Sequence, residues 1–389
     1  MISIIIIVLL IFQALMSTLL SRKIFSPLNL FTFGLNFYFI LPVLYGVNSQ
    51  KFDIPQFSGW INTFDSLSDS DVYFILFFTF ICYVSFLLPC VYFYFTQPKR
   101  KYFKQVNLSF FYLFIAIFSF FIWYLGRNSF FSGYKSGYDS SVLGLFATLN
   151  VLLIFFFISS SRFSKAYLCL LVINSVLMLS MGGRMYVVLA IIALVIHKQE
   201  HDGLRIKYLM YLILAVIAMV LIGMWRLDGV KLDIFLYILL AEPIFTSYSM
   251  LSFVQSNEMP LFGIPYNFVN SFLMFLPSVI IDKSQFIVRI EGFDFISPVG
   301  AISFLVSLIG NFGIIGSLIF LLLLSYIVNK AFSSSNNLAF IFSCIAMAVL
   351  PFMLFRDPFG VSMKIMFMSG FIIPAMALLV HSILPKVKY

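Results

Sequence analysis

Charge is scarce in this sequence of 389 residues. Only 10% of them are Asp, Glu, Lys or Arg, whereas 62% are hydrophobic and 51 are Phe. A soluble domain carries about 25% charged residues, so the composition excludes a soluble protein and indicates a polytopic membrane protein. The formal net charge of +9 falls in short loops, where it reports topology and does not indicate nucleic acid as a partner.

Motifs for disulfide, metal and nucleophile chemistry are also missing. The four cysteines form no CxxC or CxxxC pair, which argues against a disulfide framework and a cysteine metal site. No GxSxG motif, P-loop or metal-spaced Cys/His/Asp cluster occurs. A catalytic site would therefore depend on carboxylates and arginines, without a metal or another cofactor.

Eleven apolar runs are present that could cross a membrane, since a hydrocarbon core of roughly 30 Å requires about 20 helical residues. The predicted spans are 2–20, 28–47, 72–95, 107–126, 142–160, 166–182, 185–197, 208–225, 311–329, 338–355 and 364–384. The first run lacks the basic start and cleavage site of a signal peptide, so we interpret it as a retained span. The expected fold is one all-α membrane domain over 1–389, with about eleven, or twelve, transmembrane helices.

A large connection, 226–297, separates the eighth and ninth predicted spans. Its apolar pieces, 234–254 and 265–281, are interrupted by polar residues or proline, including Glu242 and Pro243. Such interruptions are typical of interfacial or re-entrant helices. We therefore expect this region to be a large periplasmic loop region that lies against the membrane.

Basic residues occupy alternate loops, and this pattern predicts the orientation. One set of loops is rich in Lys and Arg and contains only Glu200 and Asp202 as acidic residues, whereas the other set is net acidic. Because basic loops mark the cytoplasmic side, we expect an external N-terminus, a cytoplasmic C-terminus and an external 226–297. Glu242 is the one charged residue away from a span end or loop, so the pattern favours chemistry at the external surface over passage through the bilayer.

Arg184 follows two glycines in SMGGRMYVVL, between two apolar runs. The run 185–197 covers only about 20 Å of helix, so the turn is expected to dip below the external surface. An arginine there is costly unless it is paired or faces water, and guanidinium binds phosphate through two parallel hydrogen bonds. Arg184 is therefore a candidate phosphate ligand, and the alternative is a side chain that extends to lipid headgroups.

Two more arginines lie at predicted external span ends. Arg226 occurs in MWRLDG near Asp228, and Arg356 occurs in LFRDPFG beside Asp357. Each admits a local explanation, as an Arg–Asp pair at a helix end or as a side chain that reaches the headgroups. If folding brings both arginines to Arg184, the three cations match the two or three negative charges of a diphosphate.

Glu242 and Asp357 are the candidate general bases. Glu242 lies in the apolar stretch LLAEPIFTSY, where a half-buried carboxylate is suited to accept a proton. The alternative is a solvent-facing residue at a helix break before Pro243. In the external stretch DKSQFIVRIEGFD, Arg289 is a candidate contact for a polar substrate such as a sugar, or else part of a solvated loop.

Four short stretches resemble the O-antigen polymerase family, the Wzy-type oligosaccharide repeat unit polymerases. They are GGR at 182–184, the arginine of MWRLDG at 226, SPVG…GNFGIIG at 297–316 and FRD at 355–357. The resemblance covers most of the chain and lies in architecture more than in letters. Members are often described with twelve spans and both ends inside, whereas the charge pattern here predicts eleven spans and an external start. The glycines Gly310, Gly313 and Gly316 within one stretch are spaced for close helix packing in lipid.

The resemblance implies a bacterial inner-membrane glycosyltransferase that uses undecaprenyl-pyrophosphate-linked oligosaccharide at the periplasmic face, in lipopolysaccharide or related polysaccharide biosynthesis. The growing glycan would move onto the non-reducing-end sugar of a new unit. Arg184, Arg226 and Arg356 would bind the pyrophosphate, and Glu242 or Asp357 would accept the proton of the acceptor hydroxyl. Besides membrane lipid, the family implies a chain-length regulator protein as a partner.

Other activities fit part of the pattern. An O-antigen ligase uses the same donor but is expected to carry an external histidine, and all three histidines fall on the predicted cytoplasmic side. A flippase of lipid-linked oligosaccharide should have cationic residues that line the bundle midplane. A structural scaffold explains neither the arginine positions nor Glu242.

Arg184→Ala is expected to abolish long-chain glycan while leaving the protein in the membrane, because the guanidinium that holds the pyrophosphate is lost. The surface glycan of cells that carry the variant reports the chain length. A normal chain length in that variant would contradict the assignment of Arg184.

Overall fold

The computed structural model describes 1–21, 23–49, 54–96, 105–130, 140–203, 232–273 and 292–383, and positions 210, 213, 217, 220, 221 and 224. Within these residues the fold is all-helical, apart from an isolated bridge between Val106 and Ser160. Eight of the described helices are long and apolar enough to cross a membrane. The all-helical fold with several helices of membrane-spanning length is confirmed, and the count of eleven or twelve spans stays a prediction.

The helices are numbered here in chain order over the described residues. They are α1 (Ile2–Leu20), α2 (Pro27–Val47), α3 (Ser58–Asp65), α4 (Asp69–Thr96), α5 (Phe111–Gly126), α6 (Ser140–Ser159), α7 (Ser164–Met181), α8 (Arg184–Asp202), α9 (Leu232–Ser256), α10 (Tyr266–Leu273), α11 (Phe304–Ser333), α12 (Asn337–Val349), α13 (Met353–Arg356) and α14 (Phe359–Ile383). The helix α2 contains a π-helical stretch, Asn36–Ile40, and α14 contains another, Lys364–Ile372.

The predicted spans 185–197 and 338–355 differ from the observed helices for local reasons. The helix α8 continues to Asp202, beyond the predicted end at 197, because the polar residues that follow include good helix formers. The predicted span 338–355 is divided into α12 and α13, with Pro351 in the turn between them. Most of the predicted span 208–225 lies outside the described residues.

The helix α9 runs without a break through Glu242 and Pro243 over 25 residues. The alternative of a helix break before Pro243 is therefore wrong. Proline lacks the N–H that would bond four residues back, but packed membrane helices tolerate this loss. As a result, Glu242 lies inside a helix and not in a solvent-facing loop.

The chain divides into two compact units. The first comprises Met1–Gln97, Val230–Lys330 and Val349–Lys364, and the second comprises Pro98–Gly229, Ala331–Ala348 and Ile365–Tyr389. Hydropathy does not reveal this division, because apolar runs are distributed evenly along the chain.

Buried amides connect helices within the second unit. Trp123 Nε1 donates to Asn174 Oδ1 over 3.2 Å, and Asn174 Nδ2 donates to Asn150 Oδ1 over 3.2 Å. Such bonds hold α5, α6 and α7 together where lipid offers no hydrogen-bond partner.

In the first unit, the polar segment that follows α2 contributes to the core. Trp60 of α3 is 2% exposed, and its ring lies 5.6 Å from that of Tyr45. Its Nε1 donates to Ser247 Oγ of α9 over 2.9 Å. Trp60 therefore fixes α3 against α9, although the sequence of this segment is polar.

The helix α11 is broken at Gly313, whose backbone has φ 68° and ψ −176°. The backbone of 260–263 fills the break. The amide of Ile314 donates to the carbonyl of Pro260 over 2.9 Å, so the backbone groups freed by the break find partners there.

Gly313 serves this break and not a helix-packing stripe. A Cβ at Gly313 would lie 2.7 Å from the carbonyl carbon of Leu261. The interpretation of Gly310, Gly313 and Gly316 as one packing face is therefore wrong for the middle glycine, which is needed for its positive φ and for a close backbone approach.

Gly313→Ala is expected to lower the stability of the protein by roughly 1–3 kcal/mol or more, because this backbone region is essentially restricted to glycine. Gly59→Ala is the control, since a Cβ at Gly59 meets no atom within 4 Å. Thermal unfolding and folded yield in detergent measure both effects. Equal stability of the two variants would contradict a strained break at Gly313.

Candidate functional site

Three predicted site residues meet in the first unit. The guanidinium of Arg356 forms an ion pair through Nε with Oε1 of Glu242. Its Nη1 lies 3.2 Å from Oδ1 of Asp357 and donates a hydrogen bond to it. One guanidinium is therefore shared by two carboxylates, and Glu242 comes to it from a distant part of the chain. We call these three residues the ion cluster.

Backbone hydrogen bonds fix the positions of Arg356 and Asp357. The single turn of α13 ends at Arg356, and the amide of Asp357 donates to the carbonyl of Met353 over 2.9 Å. Asp357 is extended (φ −95°, ψ 151°), as expected for a residue before proline. The carbonyl of Arg356 accepts from the amide of Ile302 over 2.9 Å. The turn thus holds both side chains beside Glu242 of α9.

Serines of α9 hold the irregular segment 294–303, which contacts this turn through Ile302. Ser252 Oγ accepts from the amide of Ile296 over 2.9 Å, and Ser249 Oγ accepts from the amide of Ser303 over 2.8 Å. These serines are absent from the sequence-based candidates. Their spacing of three residues places them on one face of a helix, and that was the available signal.

The ion cluster is mostly removed from solvent. The exposed side-chain fractions are 26% for Glu242, 29% for Arg356 and 13% for Asp357. Burial raises the pKa of Asp357 to about 6; the charge of Arg356 opposes this shift, and the charge of Glu242 adds to it. Two ionised carboxylates and one guanidinium leave a net negative charge, so the cluster holds a proton more readily than an isolated aspartate.

Arg184 lies in the second unit, at the first residue of α8. The tight turn predicted before it is confirmed: Gly182 has φ 97°, and the amide of Gly183 donates to the carbonyl of Met178 over 2.8 Å. A Cβ at Gly183 would approach Leu143 Cδ1 to 2.8 Å. Both glycines therefore have a structural role, and ligand approach at Arg184 stays a prediction.

The remaining predicted cations, Arg226 and Arg289, lie outside the described residues. Arg184 belongs to the second unit and Arg356 to the first. The convergence of these guanidinium groups on one anion therefore stays a prediction.

Comparison with protein-family models, with curated proteins and with solved structures finds no match. The functional argument therefore depends on the residues of this chain. Within the described part of the chain, no group of three or more His, Cys, Asp or Glu side chains is arranged to hold a metal ion.

Asp357→Asn is expected to flatten the pH dependence of stability. A carboxyl with a pKa of about 6 in the folded protein and 3.8 ordinarily binds its proton more tightly when folded. Its contribution is complete below about pH 4 and is lost as the pH rises through about 6, by about 1.4 kcal/mol for each unit of pKa difference. Thermal unfolding in detergent between about pH 4 and about pH 8 measures this loss.

Asp65→Asn is the control, because Asp65 is an exposed carboxylate of the same unit. Its pH profile should follow that of the wild-type protein. If the Asp357→Asn profile also follows the wild type, the altered pKa of Asp357 is refuted.

Proposed function

We propose that this protein polymerises oligosaccharide repeat units carried on undecaprenyl pyrophosphate, at the periplasmic face of the bacterial inner membrane. The ion cluster carries the proposal, because it joins a candidate proton acceptor to a candidate phosphate-binding cation in a chain with few charges. On this proposal the protein is a multi-pass glycosyltransferase with eleven or twelve spans and a cytoplasmic C-terminus.

The reaction transfers a glycan between two lipid-linked molecules. The acceptor hydroxyl oxygen forms a bond with the anomeric carbon of the donor glycan, and the bond from that carbon to the pyrophosphate oxygen breaks. The electron pair of the broken bond stays on undecaprenyl pyrophosphate, and the acceptor proton passes to a carboxylate. A cation beside the departing oxygen stabilises the charge that develops there.

The ion cluster assigns these roles to neighbouring groups. Arg356 binds the departing pyrophosphate, and Glu242 accepts the proton. In the ion pair each group neutralises the other, so Arg356 has to turn from Glu242 in order to bind a phosphate oxygen. That movement supplies the cation and frees the carboxylate together, while Asp357 keeps one contact to the guanidinium.

Arg184, Arg226 and Arg289 are proposed as further contacts to the pyrophosphate or the glycan. A chain-length regulator protein is the proposed partner.

A flippase of lipid-linked oligosaccharide is the second candidate, and the course of α9 favours it. A helix of 25 residues is about 37 Å long, enough to cross a hydrocarbon core. If α9 crosses the membrane, Glu242 lies roughly 15 Å along it from its first residue, near the midplane, where transporters carry charged side chains.

The surface glycan of a deletion strain separates these activities. Loss of a polymerase leaves lipopolysaccharide capped with a single repeat unit. Loss of a flippase leaves no external intermediate, and loss of a ligase leaves accumulated long polymer without capped lipopolysaccharide. Either of the last two results would refute the polymerase proposal.

Glu242→Gln is expected to reduce long-chain glycan by about 100-fold or more, because general base catalysis contributes roughly 10²–10⁴-fold in rate. The variant is expressed in the deletion strain, and chain length is read from its lipopolysaccharide. Glu258→Gln, at an exposed carboxylate just beyond the same helix, should restore the normal length. A Glu242→Gln strain with normal chain length would rule out Glu242 as the base.

A further inference from the structure

Tyr38 is a buried phenol beside the ion cluster. It lies in the π-helical stretch Asn36–Ile40 of α2 and is 0% exposed. Among the described residues, its hydroxyl has no hydrogen-bond partner. The stretch Asn36–Ile40 packs against α9, which carries Glu242, and the ring of Tyr38 stacks on Phe355, the residue before Arg356. The phenol is therefore within electrostatic range of Glu242, Arg356 and Asp357.

Packing does not require this hydroxyl. The ring of Tyr38 is parallel to that of Phe355 at 6.0 Å, and Phe37 meets it edge-on at 5.1 Å. A phenylalanine would make the same ring contacts, and the chain contains 51 Phe against 20 Tyr. A buried hydroxyl without a partner is unfavourable, so its presence here calls for a function.

The ion pair explains when the hydroxyl is needed. While Arg356 contacts Glu242, the ion pair stabilises the carboxylate. Once Arg356 turns to an anion, the carboxylate is left half-buried without its counter-ion, which is costly. A phenol can donate a hydrogen bond to a carboxylate without adding a charge, and π-helical turns such as that of Tyr38 occur frequently at functional sites.

We propose that Tyr38 is a positioning residue that donates its hydrogen bond to Glu242 when Arg356 leaves the ion pair to bind an anion. Tyr38 thereby holds the carboxylate in place without neutralising it. The nature of the anion, a diphosphate, rests on the proposed function; the exchange of donors at Glu242 does not.

Thr246 offers the competing donor. It lies one turn after Glu242 on α9, and its buried hydroxyl has no hydrogen-bond partner among the described residues. Residues four apart lie on the same side of a helix. Thr246→Val therefore accompanies the Tyr38 variant in the test.

A double-mutant cycle tests the exchange without any ligand. Arg356→Gln removes the guanidinium and imitates its departure. We expect Tyr38→Phe to leave the melting temperature in detergent unchanged or higher in the wild-type background, and to lower it by about 2 °C or more in the Arg356→Gln background. Equal effects in both backgrounds would overturn the proposal, as would coupling that appears with Thr246→Val in place of Tyr38→Phe.

Tyr83→Phe is the matched control. Tyr83 is also 0% exposed and belongs to the same unit, but its hydroxyl donates to the carbonyl of Gln13 over 3.5 Å. Its effect should be the same in both backgrounds. If Arg356→Gln does not fold, Arg356→Met provides the second background, because it also removes the guanidinium and keeps a flexible side chain that can fill the space.

Binding of inorganic pyrophosphate gives an independent measurement on the wild-type background. Tyr38→Phe should weaken it by about 10-fold, since a hydrogen bond to a charged group is lost, and Tyr83→Phe should not. If the wild-type protein binds pyrophosphate and the Tyr38→Phe variant binds it equally well, the proposal is overturned. If pyrophosphate does not bind the wild-type protein, the anion of the proposed function is wrong, and the cycle still decides the role of Tyr38.

Discussion

The sharing of one guanidinium between two carboxylates is the constraint on which the candidate site depends. Charged groups away from water are stable only when they are paired, and Arg356 pairs with Glu242 and Asp357 at once. Removing Arg356 leaves two carboxylates together, whereas removing either carboxylate leaves a matched pair. Loss of the cation is therefore expected to destabilise the ion cluster more than loss of either carboxylate.

The backbone around the ion cluster is irregular, and side chains or neighbouring backbone satisfy it. The π-helical turn carries Tyr38, serines of α9 hold 294–303, and the backbone of 260–263 fills the break at Gly313. At membrane depth, irregular backbone is tolerated only where protein buries it or where it lines a polar cavity. The first unit meets that condition because its irregular segments pack against α9 and α11. These contacts stabilise the elements that carry the ion cluster.

Hydropathy predicts most helices of this chain because long apolar runs have few alternatives to helix in lipid. The same local reasoning fails where packing overrides it. Pro243 does not end α9, Trp60 of a polar segment is buried in the core, and Gly313 breaks an apolar run that hydropathy predicts as one continuous helix. Each error has the same cause, namely that neighbouring segments supply or remove contacts that a single stretch of sequence does not contain.

The candidate site shows the same contrast between local sequence signals and contacts from distant segments. The proximity of Arg356 and Asp357 follows from adjacency in the chain, but their contact with Glu242 joins distant segments and has no local signal. Tyr38 cannot be predicted from the sequence for another reason. In a chain with 20 Tyr and 51 Phe, one more aromatic residue in an apolar helix reads as packing, and only the unpartnered hydroxyl beside three charges distinguishes it.

Because Arg356 is already paired with Glu242, the mechanism differs from the one that the residue types alone suggest. A free arginine and a free glutamate would act independently, and the base would be present before any donor arrived. On the proposed mechanism, the carboxylate that accepts the proton is the one that the guanidinium contacts in the ion cluster. Anion binding and exposure of the base then become one event, so proton removal from an acceptor is tied to the presence of a leaving group. Asp357, ionised above a pKa of about 6, retains Arg356 within the cluster during this exchange, because a cation held by one carboxylate remains close enough to return to the other.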